Sequence, residues 1–147
     1  MSSVEHGTFV LERTYDAATG RVFAAWADPE AKARWFGATD FSLDFRVGGR
    51  ETNTGGPEGG PTYRYEATYR DIVPDERIVY TTDVYVDDRL MSVTVATVEF
   101  APQDAGTQLT LTEHGAFLDG LETAAQREQG TVQLLGKLEE VLAKAVA

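Results

Sequence analysis

Residues 119–147 read DGLETAAQREQGTVQLLGKLEEVLAKAVA, the longest segment of the chain with a helical pattern of apolar residues. The pattern predicts a helix from Leu121 to Ala145, roughly 37 Å long at a rise of 1.5 Å per residue. Asp119 followed by Glu122 is typical of a capping box at such a helix start. The apolar face carries Leu121, Ala124, Val132, Leu134, Leu135, Leu138, Val141, Leu142 and Ala145. This helix therefore has one broad face to bury against another layer.

The segments before this helix alternate apolar and polar residues with the period of β-strands. Strands are predicted at residues 8–15, 41–46, 50–54, 62–73, 77–86, 90–100 and 107–114. Connections such as Asp87-Asp88 are so short that neighbouring strands must be antiparallel.

Two short helices are predicted after the first strand. The first runs from Thr19 to Ala27, and the second begins at Pro29 and ends at Trp35 or Phe36. Asp28 is a suitable N-cap for the second helix, and Gly37 is a suitable left-handed terminator. Together these elements predict an α+β fold in which a curved antiparallel sheet of about seven strands wraps around the C-terminal helix. Residues 1–147 are expected to form a single domain.

Composition excludes several classes of function. Among the 147 residues, 24 are acidic and 13 are basic, which gives a net charge of −11. A surface this acidic repels phosphate, so neither nucleic acid nor a membrane is an expected partner. The chain has no cysteine and only two histidines, and it has no nucleotide-binding fingerprint, so no metal and no cofactor are expected. Neither a signal peptide nor a membrane span is recognised, and a cytoplasmic location is expected.

The C-terminal helix differs between its two halves. The second half carries bulky leucines and valines, whereas the first half offers Ala124, Ala125 and Thr131. Since small side chains leave space under a sheet, a cavity is expected below the first half, opposite the strand with Tyr63, Tyr65 and Tyr69. The alternative is that these tyrosines, together with Tyr80, fill the space, because native interiors rarely tolerate large voids.

Three charged residues are predicted to point into this interior. Glu113 shares strand parity with Leu109 and Leu111, Arg13 lies on the inward face of the first strand, and Glu128 falls within the apolar face of the helix. An inward carboxylate must be paired or have its pKa raised. One interpretation is an Arg13–Glu113 ion pair, with Glu128 at the cavity mouth. The other makes Glu113 or Glu128 a ligand anchor or a general acid/base.

Several ordered motifs resemble one known family. The residues FAAWADPE at 23–30, ARWFG at 33–37, YRDIVPDERIVY at 69–80 and GTQLTLT at 106–112 are similar to motifs of the Hsp90-ATPase-activator-like group. That group belongs to the START/Bet v1-like (SRPBCC) superfamily. The resemblance implies the helix-grip fold, and it implies functions as diverse as lipid and polyketide binding, cyclase and lyase activity, and co-chaperone action. Thr82 and Thr131 stand where the group often has Trp, and both changes would enlarge or reshape the cavity.

The first functional hypothesis is the binding of a small hydrophobic molecule, aromatic or polyketide- or lipid-like, in the internal cavity. The second is a cavity enzyme of the cyclase, lyase or hydrolase type that uses Glu113 or Glu128. The third is a chaperone-interacting module with an exposed apolar patch. A homodimer is left open. The candidate ligand contacts are Trp35, Phe36, Phe41, Tyr63, Tyr65, Tyr69, Tyr80, Thr82, Glu113, Ala124, Glu128 and Thr131.

Overall fold

In the computed structural model, which describes residues 2–36 and 39–144, seven strands and three helices follow one another along the chain. They are β1 (Val4–Tyr15), α1 (Thr19–Ala27), α2 (Pro29–Ala33), β2 (Thr39–Leu43), β3 (Arg50–Gly55), β4 (Tyr63–Val73), β5 (Arg77–Val86), β6 (Arg89–Gln103), β7 (Gly106–Leu118) and α3 (Ala124–Lys144). None of these described helices is long and apolar enough to cross a membrane. Gly37, the predicted terminator after the second helix, and Ala145, the predicted end of the last helix, lie outside the described residues.

The strands form one curved antiparallel sheet in the order β1-β7-β6-β5-β4-β3-β2. Consecutive strands from β2 to β7 are direct neighbours, as the short connections predicted. The turn between β5 and β6 has Asp87 at φ 47° and Asp88 at φ 66°, the double left-handed conformation that matches the twist of a two-residue hairpin. The predicted α+β helix-grip architecture is confirmed.

The two short helices place two tryptophans together beside the sheet. Asp28 caps α2, because its side chain accepts a hydrogen bond from the Ala31 amide at 3.3 Å, and proline occupies the first turn as expected. The rings of Trp26 and Trp35 meet edge to face with their centroids 4.7 Å apart. Trp35 also donates its Nε1 hydrogen to the Ala25 carbonyl at 2.9 Å. This packing fixes the two indoles as one wall of the interior.

The start of α3 differs from the sequence-based prediction. The cap is Thr123 with Gln126, since the Gln126 amide donates to the Thr123 hydroxyl at 3.1 Å and the Thr123 amide donates to the Gln126 side chain at 2.9 Å. Asp119 and Gly120 have φ values of 57° and 67°, which turn the chain and cannot belong to an α-helix. The predicted Asp119–Glu122 capping box is therefore wrong, although a box of the same type lies four residues later.

The second half of α3 packs directly into the core. Leu135, Leu138 and Leu142 are buried there, and the Tyr15 hydroxyl donates to the Leu135 carbonyl at 3.1 Å. Their spacing of three and four residues places them on one helical stripe. This half of the helix fills the space under the sheet, as its bulky side chains predicted.

The absence of a side chain at Gly7 allows the first turn of α3 to approach the sheet. Gly7 on β1 is paired in register with Gly115 on β7. A Cβ atom at Gly7 would lie 2.3 Å from the Cβ of Ala124, and one at Gly115 would lie 2.6 Å from a methyl carbon of Thr94. Gly7 therefore lets the helix start lie against β1 and sets one boundary of the interior, whereas the atoms nearest to a Cβ at Gly115 belong to Thr94 and Phe117 of the sheet.

The Gly7→Ala variant is expected to lower the free energy of unfolding by about 1–3 kcal/mol, since the new methyl group overpacks the contact with Ala124. Gly136→Ala is the matched control, because that glycine lies inside α3 with no heavy atom within 4 Å of the added Cβ. It should raise the free energy of unfolding by about 0.5–1 kcal/mol. Urea denaturation measures both variants, and equal changes in their free energies of unfolding would contradict a close contact between Gly7 and Ala124.

Candidate functional site

A cavity of about 340 Å³ lies between the first half of α3 and the sheet, where the small side chains of the helix predicted it. Its aromatic lining consists of Trp26, Trp35, Phe36, Tyr63, Tyr65 and Tyr80. Its aliphatic lining consists of Val84, Met91, Leu111, Leu134 and Leu135, and its polar lining consists of Glu113, Glu122, Gln126, Arg127 and Thr131. Gly130 completes the wall on the helix side.

The tyrosines border this space and do not fill it. The ring of Tyr65 packs edge to face on Phe36, with centroids 5.0 Å apart, and Phe36 packs in the same way on Trp35 at 5.6 Å. Tyr63 is 39% exposed, and Gln126 and Gly130 are also exposed. These three residues therefore mark the side on which the cavity reaches solvent.

The polar groups converge at one end of the cavity on Arg127 of α3. Its Nη1 donates to Glu113 Oε2 at 3.0 Å. Its Nη2 donates to Glu122 Oε1 at 3.1 Å and to the Ser92 hydroxyl at 2.5 Å. Its Nε donates to Glu122 Oε2 at 3.3 Å. Glu113 Oε2 accepts a second hydrogen bond, from the Thr94 hydroxyl at 2.7 Å. The inward carboxylate that strand parity predicted is thus buried and paired.

The predicted partner of Glu113 was wrong. In the β1–β7 register, Glu113 lies opposite Phe9, whereas Arg13 lies opposite Leu109. Four residues of extended strand separate the two positions, which amounts to roughly 13 Å. Arg13 instead donates to the Glu12 carbonyl at 2.7 Å. Strand parity predicted correctly which face Glu113 occupies, but parity contains no information on the register between two strands.

Burial and nearby charges determine the protonation states of the groups at the polar end of the cavity. Burial lowers the pKa of Arg127, but the negative charges of Glu113 and Glu122 more than offset it, so the pKa is raised above its usual value and the guanidinium stays charged. Burial raises the pKa of Tyr80 well above 10, and the charges of Glu113 and Glu51 raise it further, against smaller opposing effects of Arg127 and of a hydrogen bond with Tyr65. Burial likewise raises the pKa of Tyr65. Both phenols therefore keep their protons at neutral pH.

A second buried polar cluster lies behind the aromatic wall. Lys32 on α2 is fully buried, and its Nζ contacts Glu51 Oε1 at 2.6 Å and the Tyr69 hydroxyl at 3.3 Å. The Tyr69 hydroxyl donates to the same Glu51 oxygen at 2.6 Å. The Lys32 ammonium lies 4.5 Å from the ring centre of Phe36 and 5.3 Å from that of Trp26, which is within the range of cation–π attraction. Charge and aromatic faces together hold this lysine in the interior.

The structure brings seven of the predicted contact residues to the cavity: Trp35, Phe36, Tyr63, Tyr65, Tyr80, Glu113 and Thr131. The other five lie outside its lining. Tyr69 belongs to the Lys32 cluster, the Thr82 hydroxyl pairs with the Thr94 hydroxyl behind Glu113, and Ala124 faces Gly7. Phe41 is half-buried on β2, and Glu128 is half-buried on α3.

The most important residue that sequence reasoning missed is Arg127. It lies four residues before Thr131 and eight before Leu135, on the buried stripe of α3. The helical spacing could therefore have shown that this charged residue faces the interior. Ser92 and Thr94 share strand parity with Ala96, Val98 and Phe100, which are buried. Parity could have identified these two as inward-facing as well.

For Lys32 and Glu51, the sequence contains no periodic pattern that would show an inward-facing side chain. The strand of Glu51 reads RETNTG, with no apolar residue to show which face is buried. Lys32 lies between two alanines in a five-residue helix, which is too short to define an apolar face.

Two further properties of the described residues bear on function. Among them, no three His, Cys, Asp or Glu side chains cluster in a way that could hold a metal ion. On the outer face of the sheet, Val10, Val93 and Val95 are 55%, 40% and 41% exposed. They are apolar surface that does not border the cavity.

The sheet, the gripped helix and the cavity between them define the class of helix-grip proteins. The chain belongs to the family described as "Activator of Hsp90 ATPase homolog 1-like protein", which it matches over residues 16–143. The family resemblance seen in the sequence motifs is thereby confirmed.

Solved structures of bacterial proteins share this fold closely. An uncharacterised protein from Rhizobium leguminosarum is 39% identical, with 98% of this chain and 99% of that chain covered and a TM-score of 0.94. A protein from Rhizobium loti is 45% identical, with 95% and 99% covered and a TM-score of 0.90. A protein from Chromobacterium violaceum is 29% identical, with 92% and 96% covered and a TM-score of 0.77. The comparison with curated proteins found no match.

Proposed function

We propose that this protein binds a small, largely apolar aromatic molecule in the cavity under α3. The observation that carries the proposal is the pairing of an aromatic and aliphatic wall with one polar end, in a cavity of about 340 Å³. Ligand sites commonly measure about 300–1,000 Å³ and combine apolar walls with a few convergent polar groups. A volume at the lower end of that range favours a ligand of two or three rings over a long acyl chain.

The packing around the cavity supports a binding role. Edge-to-face contacts fix the rings of Trp35, Phe36 and Tyr65, and hydrogen bonds fix Glu113 and Arg127. A wall that is already ordered loses little side-chain entropy when a ligand enters, so more of the apolar contact contributes to affinity.

Isothermal titration calorimetry with 2-naphthol tests the proposal. One saturable site per chain is expected, together with stabilisation against heating. At a ligand concentration 100 times Kd, the stabilisation is about 2.7 kcal/mol, which corresponds to a rise in Tm of about 5–10 °C for a chain of this size. If neither 2-naphthol nor a panel of two- and three-ring aromatic molecules gives saturable heat or a shift in Tm, the binding function is wrong.

The two alternative functions stay predictions. An acid/base enzyme in this cavity would depend on Glu113, because Glu128 lies outside the lining. A chaperone-interacting module would use surface outside the cavity, such as the exposed valines on the outer face of the sheet.

A further inference from the structure

The hydrogen-bond donors of Arg127 are already committed within the protein. Its Nε and both Nη atoms donate to Glu113, to Glu122 and to Ser92. Four of the five N–H groups of a guanidinium are thereby used. Arg127 therefore lacks the free two-pronged face with which arginine clamps a ligand carboxylate.

Glu113, in contrast, keeps a free acceptor that faces the cavity. Both of its hydrogen bonds within the described residues, from Thr94 and from Arg127, end on Oε2. Glu113 lines the cavity. Among the described residues, the fully enclosed side-chain polar atoms without a hydrogen-bond partner are Trp26 Nε1, Glu51 Oε2 and Asn53 Nδ2. Glu113 Oε1 is not in this group, so it is accessible from the cavity. A carboxylate oxygen can only accept hydrogen bonds. A ligand group that meets Oε1 must therefore donate one.

The charges around the cavity also favour a hydrogen-bond donor over an anionic group. Its charged lining residues are Glu113, Glu122 and Arg127, so two negative charges face one positive charge and the sum is −1. The nearby Lys32 does not change this sum, because it is paired with Glu51. The chain as a whole has a net charge of −11, which repels anions at long range as well.

We infer that the cavity selects aromatic molecules whose polar group is a hydroxyl or amine hydrogen-bond donor, and that it discriminates against carboxylates. The donor is directed at Glu113 Oε1, while the rings lie against the aromatic wall. This inference rests on the proposed binding function and specifies its ligand class.

Three ligands of similar size but different polar groups test the inference: 2-naphthol, 2-methoxynaphthalene and 2-naphthoate. Calorimetry at pH 7 should show that 2-naphthol binds at least about tenfold more tightly than the other two, the effect expected for one hydrogen bond to a charged acceptor. In Glu113→Gln, the amide oxygen must serve Arg127 and Thr94, so the NH₂ group faces the cavity. The preference for 2-naphthol over 2-methoxynaphthalene should then disappear, and 2-naphthoate should bind more tightly than it does to the unmodified protein.

Glu128→Gln is the matched control. It removes the same charge from a carboxylate that lies on α3 outside the cavity lining, and it should leave the order of the three ligands unchanged.

The outcomes separate the ligand class from the binding function. If all three ligands bind to the unmodified protein with similar affinity, or if 2-naphthoate binds most tightly, the donor inference is overturned while the binding function stands. If none of the three binds, this inference is overturned, and if the panel of two- and three-ring aromatic molecules does not bind either, the binding function fails as well. The order of the three affinities for the unmodified protein tests the donor inference even if Glu113→Gln does not fold.

Discussion

Replacing Thr131 by tryptophan is expected to lower the affinity for 2-naphthol by about 100-fold or more while the protein stays folded. Thr131 is 9% exposed and lines the cavity, so a larger side chain at this position has to enter the space that the ligand would occupy. The introduced ring gains contacts that the empty space does not provide, so the free energy of unfolding should stay the same or rise. Calorimetry gives the affinity, and urea denaturation gives the stability.

The matched control is Val132→Trp. Val132 is the next residue of the helix and is 38% exposed, so its side chain lies outside the cavity. The affinity of this variant for 2-naphthol should stay within about twofold of the original value. If both tryptophan variants, or neither, lose binding, the ligand does not occupy the space beside Thr131.

Replacing Lys32 by methionine is expected to lower the free energy of unfolding by about 3–5 kcal/mol. The change leaves the charge of Glu51 buried without its partner, and breaking one side of a buried ion pair typically has a cost of this size. Glu51 Oε2 already lacks a hydrogen-bond partner among the described residues, which leaves little to compensate the lost ammonium. A domain is stable by only about 5–15 kcal/mol in total, so the midpoint of urea denaturation should fall markedly.

Two further variants separate the buried pair from a general effect of lost charge. Lys32→Met combined with Glu51→Leu removes both charges and should recover most of the lost stability, since replacing a whole buried pair by apolar residues is often neutral or stabilising. Arg46→Met breaks an ion pair with Asp44 whose side chains are 68% and 56% exposed. It should change the free energy of unfolding by less than about 1 kcal/mol. A double variant less stable than Lys32→Met alone would contradict the role of the Lys32–Glu51 pair.

The fold could be predicted from the sequence because local patterns determine most of it. The period of two identified all seven strands, and the Asp28-Pro29 cap placed the start of α2 correctly. Errors arose where two local signals competed. Asp119 and Thr123 both resemble N-caps, and only the left-handed backbone at Asp119 and Gly120 decides between them.

The cavity could be predicted in part for a different reason. Side-chain size along α3 showed where space remains, and parity showed that Glu113 faces it. Which charged side chains pair within the site depends on the register between strands and on how close segments far apart in the sequence come to one another. Local sequence patterns contain neither kind of information. Arg127 and Arg13 both lie on inward faces by period, and only the assembled sheet shows that Arg127 reaches Glu113.

Intermolecular nuclear Overhauser effects from bound 2-naphthol test most directly whether the ligand occupies the cavity. Met91 on β6, Leu111 on β7 and Leu134 on α3 come from three separate elements and meet only around this space. Binding in the cavity predicts contacts from the naphthol protons to the methyl groups of all three residues. Contacts to Val93 and Val95 on the outer face of the sheet, without contacts to these three, would contradict it.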